Sequence, residues 1–160
     1  MKYNRNLIAA IWTAVGALWF GQAALADDDV RIVTVPVLPK YKAECGACHT
    51  AYSPGLLPAA TWRHVMGNLT HHFGADASLD AATAQELLVW LTKYSTVDRR
   101  VREEPPQDRI TRSPWFLRAH DEISTATWSS AAVRRAGNCA ACHPRAEQGD
   151  FNERSARIPR

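Results

Sequence analysis

Two pentapeptides carry the residues best able to do chemistry: Cys45-Gly-Ala-Cys48-His49 and Cys139-Ala-Ala-Cys142-His143. Both place two cysteines three positions apart, with small residues between them and a histidine directly after. That is the attachment signature of c-type haem. Each cysteine can form a thioether to one vinyl group of the porphyrin, and the adjacent histidine is then held under the iron as the proximal ligand. Small intervening residues let the backbone approach the macrocycle.

Other chemistries fit less well. A thioredoxin-like redox pair needs a βαβ pattern, and neither copy has one. A zinc ribbon brings its cysteine pairs close in sequence, whereas these begin 94 positions apart. Two disulfides would suit an exported chain, but they leave a histidine after both pairs without explanation. The expectation is therefore two covalently attached haem c groups, held by Cys45, Cys48, Cys139 and Cys142, with His49 and His143 as proximal ligands.

The sixth ligand decides what each iron can do. An iron with two strong protein ligands passes electrons, whereas an open iron binds gases or peroxide. Six histidines are present, so His64, His71, His72 and His120 remain. Beyond Met1 the only methionine is Met66. At most one iron can then be His/Met, and if both are six-coordinate at least one is bis-histidine. Over Thr61–Phe73, the residues Trp62, Met66, Leu69 and Phe73 recur at helical spacing. An ideal helix aims His72 along that stripe and turns His64 and His71 to solvent. His72 is the expected sixth ligand of the first haem. His71 stays an alternative, because the helix can fray before Gly74, and Met66 reads as core filler. For the second haem, Ser113-Pro114 is a helix start. His120 borders the apolar side of a helix expected over Trp115–Ile123 and is the expected ligand.

These groups must be positioned by a short chain. Of 160 residues, the first 26 read as a secretory leader: Lys2 and Arg5, an uncharged run Leu7–Phe20, and Ala24-Leu25-Ala26 before an acidic start. The apolar run falls short of the roughly 20 residues of a spanning helix. Cleavage after Ala26 would leave 134 residues, 17 of them basic against 16 acidic. No membrane span is then expected in the mature chain. No basic stripe or aromatic-basic array points to nucleic acid.

The remaining organisation is expected to be mainly α, with little or no β-sheet. It divides into an N-terminal haem domain over 27–97, a charged, proline-containing linker over 98–112 and a C-terminal haem domain over 113–160. An extended lead-in covers 27–42, and the first motif opens a short helix near Ala43. A proline-rich loop covers 52–60, one of whose carbonyls could take the free N–H of His49. Asp80 caps a helix to Tyr94 with Ala84, Leu87, Leu88, Leu91 and Tyr94 inward. A last helix covers 128–136. Two small halves have little apolar core of their own, so the haem-free chain is expected to be poorly folded.

The run from Cys45 to Pro58, then Trp62, His72-Phe73-Gly74 and Ala77-Ser78-Leu79-Asp80, resembles the dihaem cytochrome c family of proteobacteria. Asn138 to His143, Ala146, Gly149 and Phe151 continue the likeness. The resemblance spans about Pro39 to Pro159. It implies two small cytochrome c-like halves with bis-histidine ligation at both irons, His72 and His120 being the sixth ligands. It also implies low-potential electron transfer in the bacterial periplasm. Its partners would be a small monohaem cytochrome able to bind oxygen and a membrane b-type cytochrome that delivers electrons. A monomer without enzymatic activity is expected. The alternative is a haem enzyme or gas sensor with one open iron, or a structural subunit of a larger complex. No peroxide-activating group stands out, and Arg63, the nearest candidate, suits a propionate better.

Overall fold

The computed structural model describes residues 35–95 and 101–159. The expected leader and residues 98–100 of the expected linker lie outside that range. Among the described residues every regular element is helical, and the single β-type contact is an isolated bridge between His72 and Ala75.

Helix α1 spans Pro39–Cys45. Proline at its first position has a preset φ and lacks only an N–H that would be unpaired there anyway. The helix therefore starts ahead of Ala43, and the lead-in is not extended through Lys42. The first attachment motif closes α1 rather than opening a helix. Pro54–Leu56 form a 3-10 turn, with Pro54, Leu56 and Leu57 buried.

Helix α2 spans Ala59–Met66 and stops there, short of the expected Phe73. Gly67 donates back to the Arg63 carbonyl at 2.9 Å, and Asn68 leaves helical geometry at φ −137°, ψ 41°. Glycine and asparagine propagate a helix poorly. The chain continues through a 3-10 turn, Leu69–His71, and a tight reversal with positive φ at Phe73 (52°) and Gly74 (102°). Ala77 N–H donates to the Leu69 carbonyl at 2.9 Å and closes this loop.

Helix α3, Ala81–Tyr94, meets its expectation at both ends. The Asp80 carboxylate accepts from the Thr83 N–H at 3.0 Å, satisfying one of the orphan donors of the first turn. Its inward residues Leu87 and Leu91 are fully buried against Tyr41, Leu57 and Trp62. These five side chains form the main core, and α2 packs on α3 across it. Trp62 Nε1 donates to the buried Pro54 carbonyl at 2.8 Å, tying the loop to α2.

The 101–112 segment is charged as expected, yet it lies on the first half. Val101 and Pro105 are buried, Ile110 packs against the core cluster, and 3-10 turns occur at Pro106–Asp108 and Ile110–Arg112.

Helix α4 spans Pro114–Ala119 and ends before the expected Ile123. Asp121 and Glu122 would sit at the negative end of the helix dipole, and His120 turns out at φ −130°, ψ 18°. Helix α5 is Thr125–Ser129, earlier and shorter than the expected 128–136, because Ser124 caps it by accepting from the Thr127 N–H. Ser130 then starts a turn, its Oγ accepting from the Val133 N–H, and Arg134 takes a positive φ of 66°. Three 3-10 turns follow at Cys139–Ala141, Ala146–Gln148 and Glu153–Ser155. Phe116, Val133 and Ala146 are the buried apolar residues of this half.

Candidate metal centres

Cys45 ends α1, half-buried, and Cys48 is exposed on the turn that follows. Gly46 fits the bend for a steric reason: a Cβ there would meet the Lys42 carbonyl oxygen at 2.4 Å. Burial, then the charge of Glu44, pushes the Cys45 thiol up to about 11. Burial also raises Cys139 and Cys142.

His49 follows the turn. Its Nδ1 lies 2.7 Å from the Thr50 carbonyl. A carbonyl only accepts, so Nδ1 carries the proton and Nε2 presents its lone pair. The acceptor comes from the neighbouring residue, not from the 52–60 loop where it was expected. One face of the His49 ring stacks on Tyr52 at 5.0 Å and 24°.

Opposite stands His72. The two imidazole centroids are 6.1 Å apart and the planes only 16° from parallel. Two imidazoles bound through nitrogen on opposite sides of one metal, at about 2 Å each, place their centroids roughly 6 Å apart. The pair therefore fits a metal held between them. His72 is half-buried; burial, then the nearby His49, holds its pKa below the usual imidazole value. A site of this kind needs the neutral ring. Phe73 meets His72 edge-on at 4.9 Å, and the Arg109 guanidinium covers Phe73 at 4.7 Å.

The other candidates of this half sit elsewhere. His71 is exposed, and its Nδ1 bonds the Thr70 hydroxyl at 2.9 Å. Met66 packs on the core cluster. His64 is exposed and pairs with Asp108 at 3.2 Å and Glu104 at 3.5 Å. Those three ligand atoms lie within 4.8 Å of one another, but ion pairing of solvent-facing groups accounts for the grouping.

The second centre repeats the plan with different supports. His143 N–H donates to the Cys139 carbonyl at 2.9 Å, so the motif coils into one turn beneath the ring. The Arg157 N–H donates to the Cys142 carbonyl at 2.7 Å, bringing the C-terminal segment against it. His120 Nδ1 lies 2.8 Å from the Phe116 carbonyl, and by the same logic its Nε2 is free to ligate. Its ring stacks on Phe116 at 4.1 Å, with Trp128 at 5.8 Å. His120 and His143 are 6.2 Å apart with planes crossing at 82°. Phe151 flanks His143 at 5.6 Å. Burial, then His120, lowers the His143 pKa, with Asp150 opposing. The buried Nδ1 of His143 has no hydrogen-bond partner among the described residues.

Each histidine pair thus has a thiol pair beside it, a separation that suits one metal, and at least one ring locked into the tautomer that offers Nε2. These residues fit a covalently bound haem at each centre. Sequence reasoning did not find Tyr52, whose ring supports His49, or the Thr50 and Phe116 carbonyls that orient the imidazoles. An aromatic three residues after His49 was the only available signal for the first, and backbone acceptors leave none.

A dihaem cytochrome c family model matches residues 41–151. None of the curated proteins compared matches the chain. Among solved structures, the diheme cytochrome type c of Shewanella baltica OS155 is 37% identical, with a TM-score of 0.66, over 75% of this chain and 91% of that one. A dihaem cytochrome crystal structure from Rhodobacter sphaeroides is 41% identical, with a TM-score of 0.63, over 73% and 99%. A second structure of a diheme cytochrome c from that organism is 40% identical, with a TM-score of 0.65, over 73% and 98%.

Proposed function

The chain belongs to the dihaem cytochrome c family, and from that premise we propose that it carries electrons through two irons, each held between two histidines. His49 and His72 hold the first, and His143 and His120 the second. Cys45 with Cys48, and Cys139 with Cys142, supply the thioether bonds. One pair of observations supports this ligand set: the imidazole separations of 6.1 and 6.2 Å.

When bound, each haem supplies an iron that gains or loses one electron. The protein's part is to keep that change small in structural terms. Carbonyls of Thr50 and Phe116 hold His49 and His120 in one tautomer, so neither ring has to reorient when the charge changes. An aromatic ring packs against each of the four imidazoles, Tyr52 on His49, Phe73 on His72, Phe116 on His120 and Phe151 on His143. Two nitrogen ligands favour a lower potential than one nitrogen and one thioether sulfur. Met66, the only thioether near the first centre, is occupied in the core. The chain is then a low-potential carrier, exported to the periplasm and monomeric. It receives electrons from a membrane b-type cytochrome and passes them to a small oxygen-binding monohaem cytochrome. It performs no bond chemistry of its own.

The visible spectrum of the reduced protein, before and after carbon monoxide, tests the reading. An unchanged spectrum is expected, because both irons are already filled. A shift at either haem identifies an open iron and replaces the carrier with a gas-binding or peroxide-reacting protein.

A further inference from the structure

Tyr52 lies between the two centres. Its backbone is anchored, because the buried Tyr41 hydroxyl donates to the Tyr52 carbonyl at 2.8 Å. Its ring stacks on His49. Its hydroxyl reaches 85 residues along the chain and donates to the Gly137 carbonyl at 3.1 Å. One half-buried side chain therefore touches the first histidine of one centre and the start of the attachment turn of the other.

We propose that Tyr52 is a positioning residue that joins the two haem sites into one unit: its ring sets the plane of His49, and its hydroxyl holds the Gly137–Cys139 segment in place. The inference rests on His49 and His143 being iron ligands, as proposed above. The two functions belong to different parts of the side chain, so they separate by substitution. Tyr52→Phe keeps the stacked ring and removes the hydroxyl. Tyr52→Leu removes both.

The readouts are amide hydrogen exchange and electron paramagnetic resonance of the oxidised, haem-loaded protein. The near-parallel pair at 16° and the near-perpendicular pair at 82° split the iron orbitals differently, so the two irons give distinguishable low-spin signals. In Tyr52→Phe the Asn138 amide, bonded to the Arg135 carbonyl, and the Ala141, Cys142 and His143 amides, bonded within the second turn, exchange about fivefold faster, the share of one neutral hydrogen bond. The signal of the first iron stays in place. In Tyr52→Leu the same amides speed up and the signal of the first iron also moves.

Unchanged exchange at 138–143 in Tyr52→Phe overturns the proposal. So does an equal rise across α3, which would make Tyr52 a general stability residue, or an equal displacement of the first iron's signal in both variants. Carbon monoxide binding by the unsubstituted protein would instead remove His72 or His120 as a sixth ligand, while the differences in exchange between variant and parent would still be read.

Discussion

Trp62 ties the Pro54 loop to the core of the first half, and Trp62→Phe puts a number on that support. The indole is 5% exposed and packs with Tyr41, Leu57, Leu87 and Leu91. Its Nε1 donates to the fully buried Pro54 carbonyl at 2.8 Å, which among the described residues otherwise receives a 3.4 Å bond from the Leu57 N–H. Removing the donor leaves that oxygen poorly satisfied, at a cost of about 1–2 kcal/mol. Losing the second ring removes a few buried carbons, a further 1–2 kcal/mol or so at about 0.8 kcal/mol per methylene. The expected loss is about 2–4 kcal/mol. Guanidinium unfolding of the haem-loaded protein, followed by Soret absorbance and far-ultraviolet dichroism, reads it. With a slope of about 4 kcal/mol/M for a chain of this size, the midpoint falls by roughly 0.5–1 M. A midpoint within about 0.1 M of the parent, at unchanged slope, would mean that Trp62 does not hold the Pro54 loop and that the core assignment is wrong.

Two other perturbations probe the same frame. Leu87→Ala empties a fully buried position between α2 and α3 and should cost about 2–5 kcal/mol by chemical denaturation; a loss below 1 kcal/mol would contradict that packing. Asp80 is held below its ordinary value of 3.8 by hydrogen bonds from Thr83. A depressed carboxylate adds stability that is complete above the unfolded value and is lost as pH falls through the folded one. Asp80→Asn keeps a capping oxygen but no charge, so its stability should fall less steeply than that of the parent as pH drops below about 4; parallel pH profiles would refute the role given to the cap.

The features legible in the sequence are those whose cause is local. The attachment motifs depend on a three-residue spacing and one following histidine, and α3 on a capping aspartate and a stripe of leucines. Each is complete within about one element, so periodicity and cap chemistry reach it. The same reasoning placed His72 on a helix running to Phe73, but α2 ends at Met66. His72 comes opposite His49 from the loop that follows α2, where the chain has left helical geometry, so helical phase does not aim the ring. Likewise α4 is shorter than its apolar pattern suggests, and the side-chain bond of His120 to the Phe116 carbonyl decides where the imidazole points.

The residue types, the two motifs and the cofactor class were therefore determined by the sequence alone, because covalent attachment needs only neighbouring atoms. Which histidines face each other, and that Tyr52 lies against both His49 and Gly137, were decided by the tertiary structure. The His49–His72, His120–His143 and Tyr52–Gly137 contacts join residues 23 to 85 positions apart. No short-range pattern encodes them, since they arise only when loops without periodicity close over a shared core.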